Sequence, residues 1–145
     1  ESDVECLFVC LPDVVGNARR TLELFHIFKQ EQYLAHLPLC LVLQDGIGDL
    51  EIPWNDLSAV FIGGSDAFKV SEEAFAAAKT AKILDKYVHV GRVNTAERVR
   101  QWSDIADSID GSGVCKFDHM LSNVLSAIRE EDNQTDLFKG KDYEL

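Results

Sequence analysis

Five short apolar runs in this sequence end on residues able to do chemistry on a planar, hydrogen-bonding ligand. The first run leads into Pro12 and Asp13, and the second into Gln44, Asp45 and Gly46. The third leads into Gly63, Gly64, Ser65 and Asp66, the fourth into Gly91, Arg92, Val93 and Asn94, and the fifth into Asp110, Gly111, Ser112 and Gly113. Carboxylates accept hydrogen bonds, an amide both donates and accepts, and glycine lets backbone approach a ligand closely, so the set suits recognition of a planar base. Each member has a simpler reading. Asp13 can favour a helix N-terminus, and Gln44-Asp45-Gly46 or Asp110-Gly111 can be turn chemistry. Arg92 fits a phosphate contact, a carboxylate partner or a structural ion pair. Gly63-Gly64 lacks the spacing of a P-loop or a dinucleotide fingerprint.

The elements that must position these residues follow from hydrophobic periodicity. Cys6–Leu11, Leu39–Leu43, Ala59–Ile62, Tyr87–Val90 and the weak pair Ser108–Ile109 read as strands. Most are continuous rather than alternating, as strands covered on both faces should be. Between them lie helix-period stretches, which together predict parallel βα units and an α/β domain. One helix is expected between Val14 and Tyr33, with Ala18, Leu22, Phe25 and Phe28 on its inner face. A second is expected over Ser71 to Asp85, capped by Ser71, with Ala74, Ala77, Ala78 and Ala81 facing the sheet. Asn94 with Glu97 predicts a capping box for a third that ends near Trp102. A last helix starts at Asp118 with the stripe Leu121, Val124, Leu125 and Ile128. The segment from Asp45 to Leu57 has no room for a long helix, so that crossover must be compact. The reading is one domain over 1–130 and a polar, acidic tail over 131–145.

At 145 residues and 46% hydrophobic, the chain can bury a real core. Its net charge of −11 works against a broad nucleic-acid footprint, so nucleic-acid binding is expected only with a basic partner segment. Cys6, Cys10, Cys40 and Cys115 have no paired metal spacing and read as buried, reduced thiols. His26, His36 and His119 lack the spacing of metal ligands, and His89, alternating with Val88 and Val90, reads as a packing residue. Trp54 and Trp102 also read as packing. No apolar stretch reaches membrane-span length and the N-terminus lacks a basic start, so a soluble, cytoplasmic protein with no membrane contact is expected.

Taken in order, the five strand ends resemble the tRNA-guanine transglycosylase superfamily, and most of all its phage and bacterial relatives that place 7-deazaguanines into DNA. Leu-Pro-Asp-Val-Val-Gly at 11–16 resembles the strand whose aspartate recognises the base, and Leu-Val-Leu-Gln-Asp-Gly at 41–46 the strand whose glutamine does so. Phe-Ile-Gly-Gly-Ser at 61–65 resembles the glycine turn whose backbone meets the base. His-Val-Gly-Arg-Val-Asn-Thr at 89–95 is similar to the family's Met-Gly-Val-Gly-Thr strand end. Asp-Ser-Ile-Asp-Gly at 107–111 is similar to the segment that carries the nucleophilic aspartate. The likeness covers roughly three-quarters of the chain, and its specificity lies in the order of the motifs.

The resemblance implies five of the eight units of a TIM-type barrel, a partial barrel with a C-terminal helix. It implies a base-exchange transglycosylase, or part of one, that replaces guanine by a 7-deazaguanine in DNA or tRNA through a covalent aspartyl-sugar intermediate. Asp110 takes the nucleophile's place, and Asp13, Gln44, Gly63, Gly64 and Arg92 the substrate-binding places, with no cofactor and no metal. The family's other catalytic aspartate belongs to early barrel strands and has no counterpart here, and the zinc ligands of the tRNA enzymes are missing. A complementing chain or an oligomer is therefore expected, because a five-strand arc exposes two edges. Two alternatives stay open: a non-catalytic deazaguanine- or nucleobase-binding subunit, and a barrel-derived interaction protein.

Overall fold

The computed structural model describes residues 5–111 and 118–141. Its strands are β1 (Val9–Cys10), β2 (Leu39–Leu43), β3 (Ala59–Ile62), β4 (Tyr87–Val90) and β5 (Ser108–Ile109). The helices are α1 (Ala18–Phe28), the short α2 (Asp66–Lys69), α3 (Glu72–Ile83), α4 (Ala96–Trp102) and α5 (Asp118–Lys141). All strand pairs are parallel and the spatial order is the sequence order, β1-β2-β3-β4-β5. A parallel sheet wound in one direction curls, and this one forms a half-barrel consistent with part of a TIM-type barrel. The curl is visible in side-chain contacts. Phe8, beside β1, places its ring 5.5 Å from Tyr87 and 5.8 Å from His89 of β4, across the two intervening strands.

Strand parity assigns the two faces. Leu41, Val60 and Val88 share one register row, and Leu43, Ile62, Val90 and Ile109 the next. Except for half-buried Ile109, these side chains are fully buried on the helix side, each contributing about 1.5–3 kcal/mol of hydrophobic stabilisation. α3 can lie close to β3 and β4 because Ala74, Ala78 and Ala81 are all 0% exposed on its inner face. On the concave side the row is Val42, Phe61, His89 and Ser108, and the last three remain half-buried.

Several elements differ from expectation. β1 is limited to Val9–Cys10, and its place at the sheet edge leaves Cys6 and Cys10 exposed, whereas central Cys40 is buried; Cys115 lies outside the described residues. α1 starts after Asn17, whose side chain accepts from Arg20 N. α3 is capped by Ser71 as expected, but α4 is capped by Thr95, whose Oγ1 accepts from Arg98 N at 3.2 Å. The 45–57 crossover is compact, with 3₁₀ turns at Ile47–Asp49 and Trp54–Asp56. The last helix continues past Glu130 to Lys141, into the polar stretch expected to be a tail. It packs on α4 through Val124, Ala127 and Ile128, and leaves Leu121 and Leu125 exposed at 42% each. No helix among the described residues is long and apolar enough to cross a membrane.

Candidate functional site

The C-terminal ends of the five strands are joined in order by side-chain hydrogen bonds. From β1 to β2, Gln44 Nε2 donates to Asp13 Oδ2 at 3.0 Å. From β2 to β3, the Asp45 carboxylate accepts from Ser65 N at 2.9 Å and from Ser65 Oγ at 2.5 Å. From β3 to β4, the Arg92 guanidinium donates to the Gly64 carbonyl. From β4 to β5, Arg92 N donates to Asp110 Oδ1 at 3.0 Å and His89 Nε2 lies 2.6 Å from Asp110 Oδ2. Strand ends are where a parallel α/β fold places its chemistry, because loops and not packing choose the residues there.

Asp110 is the most reactive-looking group in this chain of contacts. Its side chain is 50% exposed, so an incoming atom can reach it, while each oxygen is held by one donor. Burial pushes its carboxyl up, but the Arg92 N–H, the His89 hydrogen bond and charge, and the Lys69 charge outweigh that effect and hold it below the usual aspartate value. His89 is fixed from its other side, with Nδ1 2.6 Å from Ser108 Oγ, and its ring packs against Phe61 with centroids 4.7 Å apart. Read from sequence as a packing residue, His89 therefore also orients a carboxylate. Phe61 in turn covers Gly91, where a Cβ would come within 2.5 Å of the Phe61 ring.

At the other end of the arc, Gln44 is 0% exposed and its amide is fully engaged. Nε2 donates to Asp13 Oδ2 and to Thr21 Oγ1, each at 3.0 Å, and Oε1 accepts from Gly16 N at 2.5 Å. Thr21, itself buried, also accepts from Val14 N and donates to Val14 O. Gln44 thus clamps the loop after β1, and neither of its N–H groups is left for a ligand, as its expected role required. Asp13 is exposed and its second oxygen makes no hydrogen bond among the described residues.

The glycine turn is forced by its neighbours. Gly64 has φ +70°, and a Cβ there would lie 2.6 Å from Asp45 Oδ2 and 3.2 Å from Gln44 Cα. Ser65 then caps α2 by accepting from Phe68 N at 3.1 Å, and its contacts hold the Asp45 carboxyl below its usual value. Arg92 adopts a left-handed backbone, φ 55°, which aims its N–H at Asp110 while its side chain reaches back to Gly64. Its side chain makes no ion pair with a carboxylate among the described residues; it bridges two strand ends through a carbonyl and a backbone N–H.

Lys69 was not legible in the sequence as a site residue. It ends α2, is 0% exposed, and its Nζ has no hydrogen-bond partner among the described residues. Burial, with Arg92 next, lowers its ammonium to about 8. Short α2 also escaped notice, and only Ser65 ahead of Asp66 could have signalled its cap. No group of three metal-binding side chains is found among the described residues. Comparison with protein-family models, with curated proteins and with solved structures finds no match to this chain.

Proposed function

We propose that this chain carries the nucleophile and part of the base pocket of a guanine transglycosylase acting on DNA or tRNA. The observation that supports it most is the Asp110 carboxylate, half exposed at the end of β5, with Arg92 N and His89 Nε2 on separate oxygens. Such a group is kept ionised and oriented, as a carboxylate nucleophile needs. In the reaction an Asp110 oxygen forms a bond to the sugar C1′ as the C1′–N9 bond breaks, and guanine leaves with that electron pair and takes up a proton. A 7-deazaguanine then attacks C1′ through its N9, gives its own N9 proton to solvent, and the C1′–oxygen bond breaks to release the Asp110 carboxylate.

Asp13 supplies the base-recognising acceptor. One oxygen is held by Gln44, and the other is available for a ring N–H or amino group of a guanine-like edge. Gln44 acts through Asp13, and the Gly63–Gly64 backbone lies on the next strand end, fixed by Asp45 and Arg92. Specificity follows because a base without those donors leaves the Asp13 carboxylate unpaired. The test is incorporation of labelled guanine into a guanine-containing oligonucleotide, with this chain alone and with a chain supplying further barrel strands. Incorporation that Asp110→Ala abolishes supports the reading; labelled base bound but never incorporated points to a nucleobase-binding subunit instead.

A further inference from the structure

Three cations lie about the strand ends of β3 and β4 with no carboxylate at ion-pair distance among the described residues, and the Asp66 and Asp110 charges that act on Lys69 from farther off only partly offset its burial. Arg92 donates its guanidinium to the Gly64 carbonyl, and Arg98 Nη1 donates to the Asp66 carbonyl at 3.4 Å. Lys69 Nζ is buried and donates to nothing among the described residues. Other bases of this chain do find carboxylates, as Lys29 does with Asp56, Lys82 with Asp107 and Arg100 with Glu130. Arg19, Lys79, Lys86 and Arg129 also lack an ion pair among the described residues, but none of them is buried, so what sets this group apart is the fully buried Lys69 between two arginines. Trp102 Nε1 donates to the Lys69 carbonyl at 3.1 Å, fixing the end of α2 against α4, the helix that carries Arg98.

An ammonium shut away from water without a partner is strongly unfavourable, and so is its juxtaposition with two guanidinium groups. Both effects are relieved by one anion. We propose that Lys69, Arg92 and Arg98 form a binding site for a phosphoryl group, with Lys69 as its floor and the two arginines as its rim. A guanidinium fork matches two phosphate oxygens, and a lysine adds a point charge to a third. The phosphoryl class is favoured over a carboxylate because three cations exceed what a single negative charge on two oxygens engages. Two sources supply this chemistry: a nucleic-acid backbone phosphate, or a free phosphate. The site stands on charge and burial; its assignment to the backbone of a nucleic acid alone rests on the base-exchange reading.

Calorimetric titration of the full chain with inorganic phosphate, and separately with a single-stranded guanine oligonucleotide, tests the proposal. Lys69→Met and Arg98→Gln should each weaken binding by at least tenfold. Each should also reduce the slope of log K against log salt for the oligonucleotide by about 0.7. Arg98 lies toward the surface, so Arg98→Gln remains informative if Lys69→Met perturbs the fold. Oligonucleotide binding with this dependence identifies the backbone as the source, and phosphate binding alone identifies the free anion. Binding of neither, or binding unchanged in both variants, overturns the site. Asp110→Asn separates the two readings: by removing a negative charge near Lys69 it should bind the anion no more weakly than the wild-type chain, while losing base exchange, and wild-type chain that binds but never exchanges rejects only the transglycosylase assignment.

Discussion

His89 Nε2 lies 2.6 Å from Asp110 Oδ2 while Nδ1 lies 2.6 Å from Ser108 Oγ, so the imidazole is fixed from both sides on the concave face of the half-barrel. Neutral His89 does this by donating through Nε2–H and accepting the serine O–H; protonated His89 donates through both nitrogens. In either state the Asp110 carboxylate receives a donor. Its folded-state titration is therefore lowered despite burial, so its contribution to stability is present above the unfolded aspartate value of about 3.9 and is lost as pH falls through the lower folded value.

His89→Phe keeps the aromatic packing against Phe61 and removes both hydrogen bonds. The Asp110 carboxyl, followed by carbon NMR, should titrate at higher pH in this variant than in the wild-type chain. An unchanged midpoint would show that the imidazole does not set the ionisation of Asp110.

Gly64→Ala forces a side chain into a left-handed turn and against Asp45. A loss of roughly 2–4 kcal/mol in denaturant unfolding is expected, together with loss of the Arg92 contact to the Gly64 carbonyl. Gly91→Ala acts differently, since its φ is ordinary and its clash is with the Phe61 ring. That variant should displace Phe61 from His89 and raise the Asp110 titration as His89→Phe does.

Gln44→Ala deprives buried Thr21, Gly16 N and Asp13 of one shared partner. A destabilisation of about 3 kcal/mol is expected from the cavity and the unpaired groups. Gln44→Glu is the sharper variant, because it nearly keeps the shape but faces the Asp13 carboxylate with a second one. Its stability should fall as pH rises from 4 to 7, a window above the unfolded aspartate value in which the lowered carboxyls of Asp45 and Asp110 give the wild-type chain no such fall.

Lys69→Met should stabilise the fold, by about 1–3 kcal/mol at neutral pH, because it replaces an unpartnered buried ammonium by an apolar side chain of similar shape. The sign follows from the lowered titration. The penalty of burying the charge is complete below about 8 and is relieved as pH rises toward the ordinary lysine value of 10.5. The gain measured by thermal unfolding should therefore shrink between those limits. A lysine held for packing alone gives a loss instead.

The sheet was legible because burial wrote it plainly. β2, Leu39–Leu43, is buried at every position, β3 is a continuous apolar run and β4 alternates with Val88 and Val90 buried, and the limits of all three coincide with the expected ones. The Ser71 cap and the alanine face of α3 followed from local chemistry. What escaped depended on neighbours distant in the chain. Parity shows that His89 points away from Val88 and Val90, but not that Ser108 and Asp110 await it there. Gln44 carries the same sequence signal whether its amide faces a ligand or clamps a loop, and only Asp13, Thr21 and Gly16 decide. Asn94 and Thr95 are both competent caps, and the structure uses Thr95. Lys69 at the end of a four-residue helix looks like a solvated charge until the strand ends close over it.

The claim that Asp110 is a nucleophile is tested most directly by intact-mass and peptide analysis of the chain after incubation with a guanine-containing oligonucleotide under denaturing quench. A nucleophilic Asp110 yields a nucleic-acid adduct with guanine expelled, mapped to the tryptic peptide over 101–116 and absent in Asp110→Ala. An adduct that survives Asp110→Ala, or no adduct even when further barrel strands are supplied, would contradict it.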